Sequence, residues 1–121
     1  MKPILKWAGG KKDHLEKLKL IITTERLKGH TYFEPFIGGG ALAFDLGHAP
    51  SVINDINSEL MNVYKVIRDN PDELIKILKN FASKHSAEFY YEVRDVDRCP
   101  TFNLDLSPEW RAARTIYLNK T

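Results

Sequence analysis

Apolar positions along this chain switch from a helical period to a strand period and back. Leu15, Leu18 and Ile22 share one helical face, and Asp13-x-x-Glu16 has capping-box spacing, so a helix is expected over roughly Asp13–Thr23. Lys17 and Lys19 fall off that face and are expected in solvent. Polar Thr24–His30, closed by Gly29, is expected as a loop leading to an apolar run at Tyr32–Ile37 that suits a buried strand. Three glycines at Gly38–Gly40 suit a tight turn, Ala41–Leu46 a short helix, and Ser51–Ile53 a second strand. That order is the start of a βαβ unit.

Beyond Asp55 the pattern is helical. Asn57 or Ser58 can cap a helix carrying Leu60, Val63, Tyr64 and Ile67, which should stop near Arg68-Asp69-Asn70 because Pro71 disfavours αR at the residue before it. Asn70-Pro71-Asp72-Glu73 restarts a helix as cap, first-position proline and acid, with Leu74, Ile75, Leu78, Phe81 and Ala82 as its apolar face. Ser86 can cap a third through Phe89, Tyr90 and Val93 and on toward Val96, broken by Cys99-Pro100-Thr101-Phe102-Asn103. Ser107-Pro108-Glu109 opens a fourth, through Trp110, Ala113, Ile116 and Tyr117. The expected architecture is α/β, with a sheet portion at residues 1–56 and a helical segment at residues 57–121.

The chain has 121 residues, about one domain's worth; 28% charged and 43% hydrophobic residues describe an ordinary globular protein. A net charge of +2 neither demands nor excludes nucleic acid, since a local basic face matters more than the total. The single cysteine, Cys99, has no partner for an internal disulfide and no CxxC or histidine cluster nearby, so a reducing cytoplasmic compartment is expected. Residues 1–10 lack the apolar core of a secretory signal, and no run approaches the length of a membrane span; no membrane partner is expected.

The candidate chemistry sits around the glycine turn. Glycine is needed where a ligand approaches the backbone or φ is positive, and amides opening a helix can meet a polar ligand. Asp55, at the end of the second strand, lies where a carboxylate can take the two hydroxyls of a ribose. Together they describe a nucleoside-cofactor site. Gly38-x-Gly40-x-x-Ala43 also satisfies the loose dinucleotide fingerprint, which leaves a nicotinamide-dependent oxidoreductase as one reading. Near the start, Trp7-Ala8-Gly9-Gly10-Lys11-Lys12 combines an aromatic wall, a sharp turn and a cation suited to carboxylate or phosphate. Glu34, within an apolar run, is expected near the ligand end of the sheet rather than in the core.

Trp7-Ala8-Gly9-Gly10-Lys11, Glu34-Pro35-Phe36-Ile37-Gly38-Gly39-Gly40 and Asn54-Asp55-Ile56-Asn57, in that order, make the chain resemble the Dam-like, D12 class adenine-specific DNA methyltransferases. Val66–Pro71, Tyr90-Tyr91 with Arg94, and Tyr117–Thr121 resemble that family's helical stretches. The resemblance implies a Rossmann-like, S-adenosylmethionine-dependent methyltransferase fold, with the helical segment as the start of a target-recognition insertion. It implies methyl transfer to N6 of adenine in double-stranded DNA after base flipping. It further implies that Trp7, Lys11, Phe36, Gly38, Gly40, Asp55 and Ile56 bind the cofactor, with Lys11 on the methionine carboxylate, Asp55 on the ribose and Ile56 on the adenine ring. Arg94, Arg98 and Lys120 are candidate DNA contacts.

The family's Asp-Pro-Pro-Tyr motif, whose acid and backbone carbonyl receive the adenine amino group, is missing: no two of the six prolines adjoin. The chain is therefore expected to be an N-terminal portion without the catalytic C-terminal part, inactive alone, with no catalytic residue of its own. A missing C-terminal half or a separate subunit would be its partner besides DNA. The alternative is a non-catalytic module that binds cofactor or DNA or pairs with another subunit.

Overall fold

The computed structural model describes residues 3–9 and 11–121, with the side chains of Lys12, Asp13 and Thr24 outside the description. Gly10 of the N-terminal motif and the Asp13 carboxylate of the expected capping box thus lie outside the described residues. Two compact units meet in sequence between Ile56 and Asn57.

In the first unit, strand β1 (Tyr32–Glu34) pairs in parallel with β2 (Ser51–Ile53), in the register Tyr32↔Ser51, Phe33↔Val52 and Glu34↔Ile53. The helix between them is Ala41–Leu46, designated α3 because two helices precede β1. β1 is shorter than the apolar run through Ile37. Pro35 has no N–H to continue the ladder. Asn54 takes over instead, donating to the Glu34 carbonyl at 2.8 Å and accepting from the Ile37 amide at 2.9 Å.

Before β1, a 3₁₀ turn at Lys11–His14 precedes α1 (Leu15–Ile21), which starts later than the capping-box spacing suggests and ends before Ile22, with His14 at its N-cap making no side-chain cap bond. Thr23 ends that stretch by becoming the cap of α2 (Thr24–Leu27), its hydroxyl accepting from the Arg26 amide at 3.2 Å. The segment expected as a loop is thus partly helical, because α2 delivers Leu27 into the core. Leu27, Tyr32 and Leu42 form that core, with Leu15, Leu18, Ile22 and Leu46 packed against it. Lys19 is likewise not simply solvated. It pairs with Asp45 of α3 at 3.0 Å, and that bond and charge raise its pKa.

The second unit is helical throughout: α4 (Ser58–Asp69), α5 (Pro71–Lys84), α6 (Ala87–Asp95), α7 (Phe102–Asp105) and α8 (Pro108–Lys120). Side chains of Asn57, Ser86 and Ser107 cap α4, α6 and α8 by accepting from the amides of Leu60, Phe89 and Trp110. Each satisfies an orphan N–H of a first turn. Asn70 does not cap α5 with its side chain, which instead donates to Glu109 Oε1 at 3.2 Å. α7 adds a fifth helix inside the expected break, where Phe102 buries its ring.

α4, α5 and α6 each pack on α8. Ala112 and Ala113 are fully buried there, and small side chains let neighbouring helices approach closely. Phe81 of α5 meets the rings of Phe89, Trp110 and Tyr117 edge-on, with centroids 5.5, 5.5 and 5.6 Å away, a favoured aromatic arrangement. Ile75, expected on the apolar face of α5, is 48% exposed, whereas Leu60 is completely buried. Leu60→Ala should therefore cost about 2–5 kcal/mol in urea unfolding, while Ile75→Ala stays within about 1 kcal/mol. Equal losses would contradict this packing.

Candidate functional site: the glycine turn after the first strand

Strand alternation places Tyr32 and Glu34 on one face of β1 and Phe33 on the other. Glu34 is the last residue of β1 and is only 4% exposed. The expectation of a ligand-end position outside the core is corrected: it is at that end and buried. A carboxylate folded away from water requires partners. Oε2 accepts from the Tyr32 hydroxyl at 3.0 Å, and Oε1 faces the Lys11 ammonium at 2.9 Å as an ion pair without an aligned hydrogen bond. Burial, with the Glu34 charge and hydrogen bond added, pushes the Tyr32 phenol well above its usual pKa. Lys11 also donates to the Phe36 carbonyl, tying the 3₁₀ turn to the start of the glycine loop.

The loop itself is built for close approach. Gly38 and Gly40 have φ of +53° and +82°, in the left-handed region that disfavours a Cβ. A Cβ at Gly38 would sit 3.2 Å from Cδ1 of Trp7, one at Gly39 2.8 Å from the Leu5 carbonyl oxygen, and one at Gly40 2.3 Å from the Phe44 ring. Trp7 and Phe44 thus occupy the space that the glycines leave. The Gly38 amide donates to Asp55 Oδ2 at 3.0 Å, joining the turn after β1 to the segment after β2. Phe36 and Ile56 present apolar side chains that are 72% and 96% exposed.

The structure therefore draws Trp7, Lys11, Phe36, Gly38, Gly40 and Asp55 into one neighbourhood, with Ile56 following Asp55 in sequence. Sequence reasoning had no role for Tyr32, although its position two residues before Glu34 in a strand was the available signal. No group of histidine, cysteine, aspartate or glutamate among the described residues could hold a metal ion. Among them, too, no helix is long and apolar enough to cross a membrane.

The three DNA candidates lie in the helical unit. Arg94 stacks its guanidinium 4.7 Å from the Tyr91 ring centroid and pairs with Asp95 at 3.1 Å; Arg98 reaches the same carboxylate at 3.6 Å. Lys120 lines an open groove with Leu78, Ala82, His85, Tyr117 and Thr121. Arg114, which as a basic helix residue was expected at the solvated surface or on DNA, is buried: it donates to the carbonyls of Val93 at 2.8 Å and Arg94 at 2.7 Å, and pairs with Asp97 at 3.1 Å. It thus closes the C-terminal end of α6, where cations favour the helix dipole.

The family model for D12 class N6 adenine-specific DNA methyltransferases matches residues 7–121. A type II methyltransferase of Lactococcus lactis subsp. cremoris is 42% identical over 118 residues, covering 98% of this chain and 40% of the relative. A type II methyltransferase of Methanocaldococcus jannaschii is 38% identical over 137 residues, covering 100% of this chain and 46% of the relative. The DNA adenine methylase of Escherichia coli is 31% identical over 118 residues, covering 96% and 39%. The chain thus spans less than half the length of these curated relatives.

Gly40→Ala should destabilise the first unit more than Gly47→Ala. Both glycines have positive φ, but the nearest atom to a Cβ at Gly47 lies at 4.0 Å. Gly47→Ala is expected to cost about 1–2 kcal/mol for the left-handed backbone alone, and Gly40→Ala clearly more. Equal shifts of the unfolding midpoint would refute the role of Phe44 in filling the turn.

Proposed function

The chain belongs to the D12 class family of N6 adenine-specific DNA methyltransferases, and we propose that it carries the cofactor-binding part of such an enzyme. In this reading residues 1–56 begin a Rossmann-like sheet that binds S-adenosylmethionine, and residues 57–121 begin the target-recognition insertion. The observation that carries it is the bond from the Gly38 amide to Asp55, which aims a carboxylate beside a turn that admits no side chain.

The residues present fit the cofactor. A carboxylate offers about four acceptor sites, so Asp55 can serve the Gly38 amide and a ribose together. Lys11 is assigned the methionine carboxylate, Phe36 and Ile56 the apolar faces of the adenine, Gly38 and Gly40 the close backbone approach, and Trp7 the wall behind the loop. When bound, S-adenosylmethionine supplies an activated methyl group on a sulfonium. The substrate we propose is adenine in double-stranded DNA, with Arg94, stacked on the Tyr91 ring, Arg98 and Lys120 as phosphate contacts. Such a substrate and the lone Cys99 fit a cytoplasmic protein.

The acceptor side of the reaction, with a carboxylate and carbonyl to receive the adenine amino group, comes in this reading from polypeptide outside these 121 residues. The chain alone should therefore incorporate no labelled methyl into duplex DNA. Incorporation above a no-protein control would overturn that assignment.

Calorimetric titration with S-adenosylmethionine tests the cofactor site. Asp55→Ala should weaken binding by about 1.5–3 kcal/mol, the cost of losing a charged hydrogen-bond acceptor. A folded wild-type chain with no affinity, or a mutant with undiminished affinity, would overturn the site.

A further inference from the structure

We propose that Tyr32 is a positioning residue for the amino-acid end of the cofactor: its hydroxyl orients Glu34, which holds Lys11 in place. This rests on the assignment of Lys11 to the methionine carboxylate. The Tyr32 ring is sealed in the core with Leu27 and Leu42, so its hydroxyl is presented from a rigid support. It meets Glu34 Oε2 at 3.0 Å and thereby determines which way the second oxygen faces. Oε1 in turn lies 2.9 Å from the Lys11 ammonium, which also donates to the Phe36 carbonyl.

An ammonium has three donors. The Phe36 carbonyl takes one of them and the Glu34 carboxylate holds the ammonium as an ion pair, so a donor remains for an incoming carboxylate. Lysine is a flexible point charge, and its use for recognition depends on having its directions fixed. Without the Tyr32 hydroxyl, Glu34 loses the contact that sets its rotation. Lys11 then samples several positions before ligand arrives, and binding must order it. The ribose end, assigned to Asp55, and Ile56 at the adenine end lie outside this chain of contacts, and Phe36 meets it only through its main-chain carbonyl, not through the ring assigned to the adenine.

Tyr32→Phe keeps the ring and removes the hydroxyl. The two ligands to compare by calorimetry are S-adenosylmethionine and 5′-methylthioadenosine, which has the adenine and ribose but no amino-acid moiety. The dissociation constant for S-adenosylmethionine should rise about five- to twentyfold, somewhat less than for losing a direct bond to a charged group, while that for methylthioadenosine stays unchanged. In a Lys11→Met background, Tyr32→Phe should have no further effect. A merely structural hydroxyl would weaken both ligands alike. That result, an unchanged affinity for S-adenosylmethionine, additive losses with Lys11→Met, or a Tyr32→Phe chain that fails to fold would each overturn the positioning role. A wild-type chain that binds neither ligand would overturn the cofactor reading itself, which separates the two failures.

Discussion

Removing a charge from water costs several kcal/mol unless partners meet it in place, and each unit of this chain is arranged around one such charge. In the first unit it is Glu34, 4% exposed, met by a phenol on its own strand and a lysine from the preceding 3₁₀ turn. The consequence reaches the loop, since that lysine also holds the Phe36 carbonyl. In the second unit it is Arg114, 8% exposed, spread over the Val93 and Arg94 carbonyls, the Asp97 carboxylate and the face of Phe102 at 5.2 Å. Neither burial is tolerable with the partners elsewhere. The two contacts therefore restrict how β1 meets the residues before it and how α6 ends.

The glycine turn shows the complementary constraint, a place where side chains are excluded. At Gly38 and Gly40 φ is positive, and Trp7 and Phe44 fill the space that side chains there would take. A partly buried amide needs an acceptor, and Asp55, just after the second strand, supplies one to Gly38. One carboxylate thus joins the two strand ends that a parallel pair leaves side by side. Phe36, before the turn, and Ile56, after Asp55, leave apolar side chains exposed, area that a ligand would cover in the proposed reading.

Membership of the D12 class family changes what these contacts are for. Its named relatives in Lactococcus, Methanocaldococcus and Escherichia are methyltransferases, and each aligns with this chain over less than half its own length. In the proposed reading, the tie from Lys11 through Glu34 to Tyr32 prepares a cation before a ligand arrives, and Arg94 stacked on Tyr91 offers a cation to a polyanion. Preorganisation of this kind improves affinity by reducing the ordering that binding must perform.

Local chemistry was legible in the sequence because local rules decide it. Asn57, Ser86 and Ser107 cap helices, Pro71 and Pro108 open them, and β1–α3–β2 follows from a turn that only glycine can make. Trp7 and Lys11 were joined to the glycine turn by the family resemblance and not by local rules; the fold is what brings Lys11 to the Phe36 carbonyl and Trp7 against Gly38. The partner each side chain takes was not. Asn70 gives its amide to Glu109 instead of its own helix, Lys19 finds Asp45, Ile75 faces solvent, and α2 forms in a polar stretch because Leu27 has a core to enter. Those outcomes depend on which distant segments arrive alongside, a competition between local bonds and tertiary ones that propensity does not encode. The burial of Glu34 is the clearest instance. Its sequence position allowed an exposed acid at the end of a strand, and only the arrival of Lys11 on one oxygen and Tyr32 on the other made a buried one stable.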